Sequence, residues 1–309
     1  MIVDKESIVP NSLSIPSIAS FVIRIKSKKE IEEVDNFAQK ENLPLFVIGG
    51  GTNIIPRDYI RGVVAILDLK GIKFSHNNLE VAAGEKWDDV VKYSIEEGVS
   101  GIEALSAIPG KAGAAPIQNI GAYGSEISNC LEKVKVFDTT KKEFIIINKE
   151  ECQFGYRDSL FKRQPSRFII ASITLKLSRK KPKIPEYEDV ERYFEEKGNN
   201  SPALKEIREA IIKIRKNKLP DYNITPNAGS YFINPILDNK KISAGQLIEQ
   251  VELKGVKIGN IEISPNNALI LTNPNRAGFE EIMSAENLIK EKVFQKFGIF
   301  LEREPRIIG

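Results

Sequence analysis

IPGKAGAAPIQNIGAYGSE, Ile108 to Glu126, carries four glycines and two prolines in nineteen residues. A core strand or helix is not built this way, because each glycine weakens regular structure by roughly 0.5–1 kcal/mol. A long loop of small residues is expected where the backbone must pass close to an extended ligand. Gln118, Asn119 and Tyr123 are expected to supply its polar contacts. An ordinary surface loop is the competing reading, and it gives no reason for the repeated glycine spacing.

Upstream, IGGGTNII (Ile48 to Ile55) sets three consecutive glycines after an apolar run. Such a turn can reach positive φ and present successive N–H groups to an anion. It matches neither GxGxxG nor GxxxxGK[ST], so the two common nucleotide-loop motifs are excluded. Alone it serves equally well as a structural loop.

The flanking sequence alternates short β-rich runs with amphipathic helical stretches. FVIRI (residues 21–25) reads as a strand, and Ser27 to Glu30 as a capping box opening a helix over Ile31, Val34, Phe37 and Ala38. GVVAILDL, LEVAAG, KVKVF, EFIII and FIIASITLKL read as further strands, with a helix from about Trp87 to Glu97. Ser201 and Pro202 are expected to cap and start a helix that ends before Pro220. A third segment holds SAGQLIEQV, VKIGNIEI, ALILTN and a long helix to Phe297, and IFLEREPRIIG reads as a closing strand. Strands and helices in this order predict an α+β fold rather than a doubly wound parallel sheet.

Composition narrows the function classes. The 309 residues carry 45 Lys and Arg against 42 Asp and Glu, a net charge of +3, which is too small to argue for nucleic acid. Basic residues are denser between Arg179 and Lys218, as a solvated helix face or toward a phosphorylated ligand. No apolar run approaches the roughly 18–20 residues that cross a bilayer, and the first residues do not resemble a secretory signal. A cytoplasmic protein is expected. The two cysteines, Cys130 and Cys152, suit reduced thiols rather than a disulfide framework. His76 is the only histidine, so a His-based metal site is excluded by count; the residue reads as a surface loop position rather than a triad member, and no metal is expected.

Three more motifs complete the set: CQFGYRDSLFK (152–162), NAGSYFINP (227–235) and the terminal LEREPRIIG. Singly, Arg157, Ser230 and Glu304 read as a salt-bridge partner, a turn serine and an exposed carboxylate. Taken in order with the glycine loops, from about Gly49 to Gly309, the motifs resemble the UDP-N-acetylenolpyruvoylglucosamine reductase family, with features of its type I branch. The resemblance implies a vanillyl-alcohol-oxidase (PCMH-type) FAD-binding fold in two subdomains plus a smaller α/β substrate-binding domain. On this basis residues 1–70, completed by a C-terminal strand at 300–309, form the first FAD subdomain. Residues 71–219 form the second, and 220–299 the substrate domain.

The resemblance also implies non-covalent FAD, NADPH as electron donor, and UDP-N-acetylglucosamine enolpyruvate as substrate, with a monomer and no membrane or nucleic-acid partner expected. Arg157, Ser230 and Glu304 fall on the family's catalytic positions. Gly49, Gly50, Gly51, Thr52 and Asn53 fall on one FAD loop. Pro109, Gly110, Gly113, Ala114, Ala115, Asn119, Gly121, Ala122 and Tyr123 fall on the other. Gln118, Tyr187, Arg215, Lys218 and Asn234 match substrate contacts. Ala114 and Ala115 depart from the pattern, standing where many members carry serines near the flavin phosphates. In the implied chemistry hydride adds to an enol-ether carbon in a ping-pong cycle. Arg157 and Glu304 stabilise the enolate-like carboxylate, and Ser230 returns a proton. Two other readings stand beside it: a flavin oxidase or dehydrogenase of the same fold, and a non-catalytic nucleotide-sugar-binding protein, for which the two alanines are the argument.

Overall fold

The computed structural model describes residues 1–238 and 240–309. The chain forms two compact units. The first comprises Met1–Val3, Ile23–Gly50 and Val64–Arg215, and the second Asp4–Val22, Gly51–Val63 and Lys216–Gly309. The strands Ile18–Ile25 and Tyr59–Leu67 contribute residues to both.

An antiparallel five-stranded sheet organises the first unit, in the order Glu143–Asn148, Leu131–Asp138, Phe168–Lys176, Asn78–Ala82, Ile72–Ser75. Its middle strand, FIIASITLK, is buried at seven consecutive positions, which explains an unbroken apolar run where alternation would mark a half-exposed strand. Helix α1 (Lys28–Lys40) begins where the capping residue was expected, with Ser27 Oγ accepting from the Glu30 N–H at 3.2 Å. The Glu30 carboxylate accepts from the Lys26 N–H at 2.6 Å, one residue before the cap. Helix α2 (Trp87–Glu96) is anchored by the buried Trp87 indole, which donates to the Leu105 carbonyl at 3.0 Å. A single turn, α3 (Leu160–Arg163), follows, capped by Ser159.

Helices α4 (Glu188–Glu195) and α5 (Leu204–Lys218) share a small core of Val190, Phe194, Ile207, Ala210, Ile211 and Ile214. The expected start at Ser201 and Pro202 is corrected: α5 begins at Leu204. Glu206 Oε2 accepts from the Ala203 N–H at 2.7 Å, and the Ile207 N–H donates to the Ala203 carbonyl, so Ala203 takes the capping place. A glutamate three residues ahead satisfies the end that a serine was expected to satisfy.

In the second unit the strands Asn227–Ser230, Ile270–Thr272, Ile261–Ile263 and Lys257–Ile258 form a sheet in that order. Helices α6 (Ala244–Gln250) and α7 (Phe279–Phe297) contribute Leu247, Ile248, Ile282, Ala285, Ile289 and Val293 to the core of this unit. The closing strand is shorter than expected. It covers Arg306–Ile308, parallel to Ile54–Pro56, because Pro305 has no N–H for a ladder. Among the described residues no helix is long and apolar enough to cross a membrane.

Candidate functional site

In the first unit the long glycine loop is held against the end of the five-stranded sheet. The Gly113 N–H donates to the Ala83 carbonyl at 2.9 Å, and the Ala83 N–H to Ala171 on the middle strand at 2.9 Å. A Cβ on Gly113 would lie 2.5 Å from Ala83 Cβ and 3.1 Å from its backbone. Gly113→Ala is therefore expected to destabilise the fold by about 1–3 kcal/mol, the usual cost of overpacking. A lowered urea midpoint at unchanged slope would register it, whereas an unchanged midpoint would mean the loop can lift off the sheet.

The two glycine loops meet at Gly49, where a Cβ would come within 3.2 Å of Ala114 Cβ and 3.4 Å of Lys111 Cβ. A Cβ at residue 49 would thus crowd Ala114, which gives the glycine there a packing reason. Ala115 is buried, and serine there would bury a hydroxyl. Lys111 Nζ donates to the Leu67 carbonyl and Asp68 Oδ1 at 2.5 and 3.2 Å. Burial lowers its pKa, against the opposing pull of Asp68. Gly50 is exposed, Pro109 is exposed at the loop's start, and Gly110 adopts a φ of 121°.

Asn119 is buried and spends its polar atoms on the chain. Its Nδ2 donates to Glu126 Oε2 at 2.7 Å and to the Gly155 carbonyl at 3.1 Å, while Oδ1 accepts from the Ser128 N–H at 3.1 Å. It ties the glycine loop to the FGYRDS segment. Arg157 lies on that segment. Its Nη2 donates to the Gly121 carbonyl at 2.9 Å and its guanidinium lies 5.5 Å from the Tyr156 ring centroid. A Cβ on Gly121 would approach Arg157 Nη1 to 3.1 Å, so the glycine makes room for the guanidinium. Asn119, Tyr123 and Arg157 all have left-handed backbone, with φ of 46°, 50° and 53°. Such conformations are unfavourable for Tyr and Arg and gather at ligand-binding and catalytic sites.

Tyr123 follows Gly121 and the half-buried Ala122 and meets Tyr187 edge to face, with centroids 5.2 Å apart. Tyr187 stands at the N-terminal cap position of α4 and is exposed. Burial raises the Tyr123 pKa against the neighbouring Arg215, and burial lowers that of Arg215 against Tyr123 and Asp88. The structure thus brings together Tyr123, Tyr187 and Arg215, three residues named from sequence. Gln118 is half-buried in the same loop.

Asp88 and Arg208 were missed. They form a bidentate pair at 2.6 and 2.7 Å that holds α5 to α2, and Asp88 Oδ1 also accepts from the Ala107 N–H at 2.6 Å. Burial pushes the Asp88 carboxyl up, but Arg208, Ala107 and Arg215 outweigh it and hold it below the usual range. The pair lies 120 residues apart, so no local motif could mark it. Arg192 makes a single exposed contact with Glu188 one turn away on α4, so the basic density from Arg179 to Lys218 is partly spent on ion pairs within the chain.

The second unit holds Gly51, Thr52 and Asn53. Gly51 has a φ of 70°, and a Cβ there would lie 2.2 Å from the Pro10 carbonyl oxygen. The Asn53 carbonyl accepts from the Arg306 N–H at 3.1 Å, which joins this loop to the closing strand. Ser230 ends a strand and is half-buried, where a turn was expected. The turn-like signal comes from a bulge: Gly229 has a φ of 73°, and its N–H donates to Asn227 Oδ1 at 2.9 Å. The Glu304 N–H donates to the Tyr231 carbonyl at 2.9 Å, so Ser230 and Glu304 lie on paired segments. Asn234 Oδ1 accepts from the Ala244 N–H at 2.9 Å, and Lys218 is exposed at the end of α5. Arg157 belongs to the first unit, Ser230 and Glu304 to the second.

Cys130 and Cys152 are free and buried, their thiols pushed up to about 12 chiefly by burial. His76 is exposed beside Ser75. Among the described residues there is no group of three or more His, Cys, Asp or Glu that could hold a metal ion.

Residues 220–308 match the model of the UDP-N-acetylenolpyruvoylglucosamine reductase C-terminal domain, and residues 19–143 match that of an FAD binding domain. UDP-N-acetylenolpyruvoylglucosamine reductase of Polynucleobacter asymbioticus is 34% identical, over 96% of this chain and 94% of its own length. The Pseudomonas aeruginosa enzyme is 33% identical over 96% of both chains. The crystal structure of UDP-N-acetylenolpyruvylglucosamine reductase from Thermus caldophilus shares the fold, with a TM-score of 0.73 at 23% identity, covering 97% of this chain and 96% of that one.

Proposed function

The chain belongs to the UDP-N-acetylenolpyruvoylglucosamine reductase family, and from that premise we propose that it reduces UDP-N-acetylglucosamine enolpyruvate to UDP-N-acetylmuramate, a peptidoglycan precursor. It does so in the cytoplasm as a monomer, with non-covalent FAD and with NADPH as donor. The observation that carries the reading is Arg157: a half-buried guanidinium on left-handed backbone, beside a glycine narrow enough to admit it. That arrangement suits a cation kept ready for developing negative charge rather than a surface ion pair. The division into 1–70 with 300–309, 71–219 and 220–299, as two cofactor subdomains and a substrate domain, goes with it.

The loops fit a dinucleotide diphosphate. Their glycines keep the backbone narrow, and Ser12 Oγ, buried with no hydrogen-bond partner among the described residues, lies on the segment whose N–H donates to Gly51. Gly49 to Asn53, with Pro109, Gly110, Gly113, Ala114, Ala115, Asn119, Gly121, Ala122 and Tyr123, would hold the cofactor, largely through backbone donors. When bound, FAD supplies the hydride that no side chain can. Arg157 holds the substrate carboxylate as charge spreads into it. Glu304 hydrogen-bonds near the same group, and Ser230 gives a proton to the enolate carbon. Tyr187, Arg215, Lys218, Gln118 and Asn234 bind and orient the nucleotide sugar.

Purified protein is expected to be yellow and to release all its flavin on acid precipitation, because neither glycine loop contains a His or Cys to link it. Under anaerobic conditions NADPH should bleach the flavin, and the enolpyruvyl nucleotide sugar should restore its colour. A colourless protein, or bleaching by an alcohol instead of NADPH, would overturn the reading.

A further inference from the structure

Glu286 lies on the buried face of α7, 3% exposed, between Ile282 and Ile289. Three donors meet its carboxylate. Tyr231 Oη and Arg303 Nη1 donate to Oε2 at 2.8 and 3.0 Å, and Lys290 Nζ donates to Oε1 at 2.5 Å. The reaction proposed above uses none of these four side chains. A buried ion cluster is also weak support for stability, since apolar residues of similar volume often serve as well.

What singles the cluster out is its neighbours in the chain. Tyr231 follows Ser230, and Arg303 precedes Glu304. The two segments are paired through the Glu304 N–H to the Tyr231 carbonyl at 2.9 Å, the Ile233 N–H to the Glu302 carbonyl at 2.8 Å, and an antiparallel bridge between Phe232 and Arg303. Tyr231 and Arg303, bound to one carboxylate, tie to α7 the backbone that lies one residue from Ser230 and one residue from Glu304.

We propose that Glu286 is a positioning residue which, by gripping Tyr231 and Arg303, fixes the separation and aim of Ser230 and Glu304. Tyr231 is fully buried, and burial, with the Glu286 charge beside it, raises its pKa. It stays a protonated donor throughout the working range. The proposal rests on the reading of Ser230 and Glu304 as catalytic, and it gives a purpose to a carboxylate buried on the apolar face of α7.

The test compares three full-length flavin-loaded proteins: wild type, Glu286→Gln, and the double variant Glu286→Met with Arg303→Met, which removes the ion pair as a unit. In Glu286→Gln, bleaching by NADPH should stay within about twofold, while recolouring by the enolpyruvyl substrate slows roughly 10–10²-fold, the scale of a small misplacement at a reacting centre. Amide exchange of Tyr231 and Glu304 should rise about tenfold or more, without change in the strand Ile261–Ile263. The double variant should regain the wild-type unfolding midpoint but not the rate. A rate that recovers with stability, or Glu286→Gln folded with wild-type exchange at Tyr231 and Glu304, would overturn the proposal. If wild type fails to recolour, the proposed reaction falls, and exchange still decides whether Glu286 fixes the two segments.

Discussion

Ser230→Ala is expected to bleach with NADPH at close to the normal rate and to recolour with the enolpyruvyl substrate roughly 10²–10⁴-fold more slowly, the range of a positioned general acid. A serine hydroxyl is a weak acid in water, but a strongly basic enolate carbon in a dry site needs only a proton placed within reach. The substitution should disturb little else. Ser230 sits opposite Ile270, and the backbone on either side is held independently of its hydroxyl. The Gly229 N–H donates to Asn227 Oδ1 at 2.9 Å, and the Tyr231 N–H donates to the Leu269 carbonyl at 2.7 Å. Stability should therefore change by about 1 kcal/mol or less. Stopped-flow measurement of the two half-reactions separates the cases. Equal slowing of both would make Ser230 a structural residue. No slowing in either would assign the proton to another group.

Arg157→Lys should keep the fold and the flavin and slow reduction of the enolpyruvyl substrate by roughly 10²–10³, the scale of losing one preorganised donor to developing negative charge. The guanidinium gives one nitrogen to the Gly121 carbonyl and presents its plane near the Tyr156 ring. A lysine ammonium cannot hold that anchor and still present a second N–H in a fixed direction. The left-handed φ of 53° at residue 157 is unaffected, since lysine and arginine carry the same Cβ. The loss should therefore appear in the rate rather than in the unfolding midpoint. Near wild-type turnover would make Arg157 a structural partner of the glycine loop.

What could be read along the chain was what local chemistry dictates. Ser27 caps α1 because its hydroxyl reaches the Glu30 N–H at 3.2 Å, a demand contained within four residues. The apolar spacing of α7 marked a helix to Phe297. The glycine loops announced themselves because only glycine tolerates the backbone crowding at Gly51 and Gly113. The terminal run was misread as one long strand although Pro305 lay in plain view. NAGSYF read as a turn because a bulge uses the same Asn and Gly. Glu286 carried a signal too: a carboxylate at an apolar position of a helix, four residues from Lys290, which could equally be a surface pair.

Only the tertiary structure decided where these local pieces spend their polar groups. Arg208 reaches Asp88 across 120 residues, and Arg303 and Tyr231 meet on Glu286 from different segments. Gly49 carries no side chain where Ala114 faces it. The physical reason is the range of each interaction. Caps, turns and helical periods are satisfied by atoms a few residues away, so the sequence alone determines them. The partner of a buried charge is whichever opposite group the packed core brings within hydrogen-bond reach, and that depends on the folding of the whole chain.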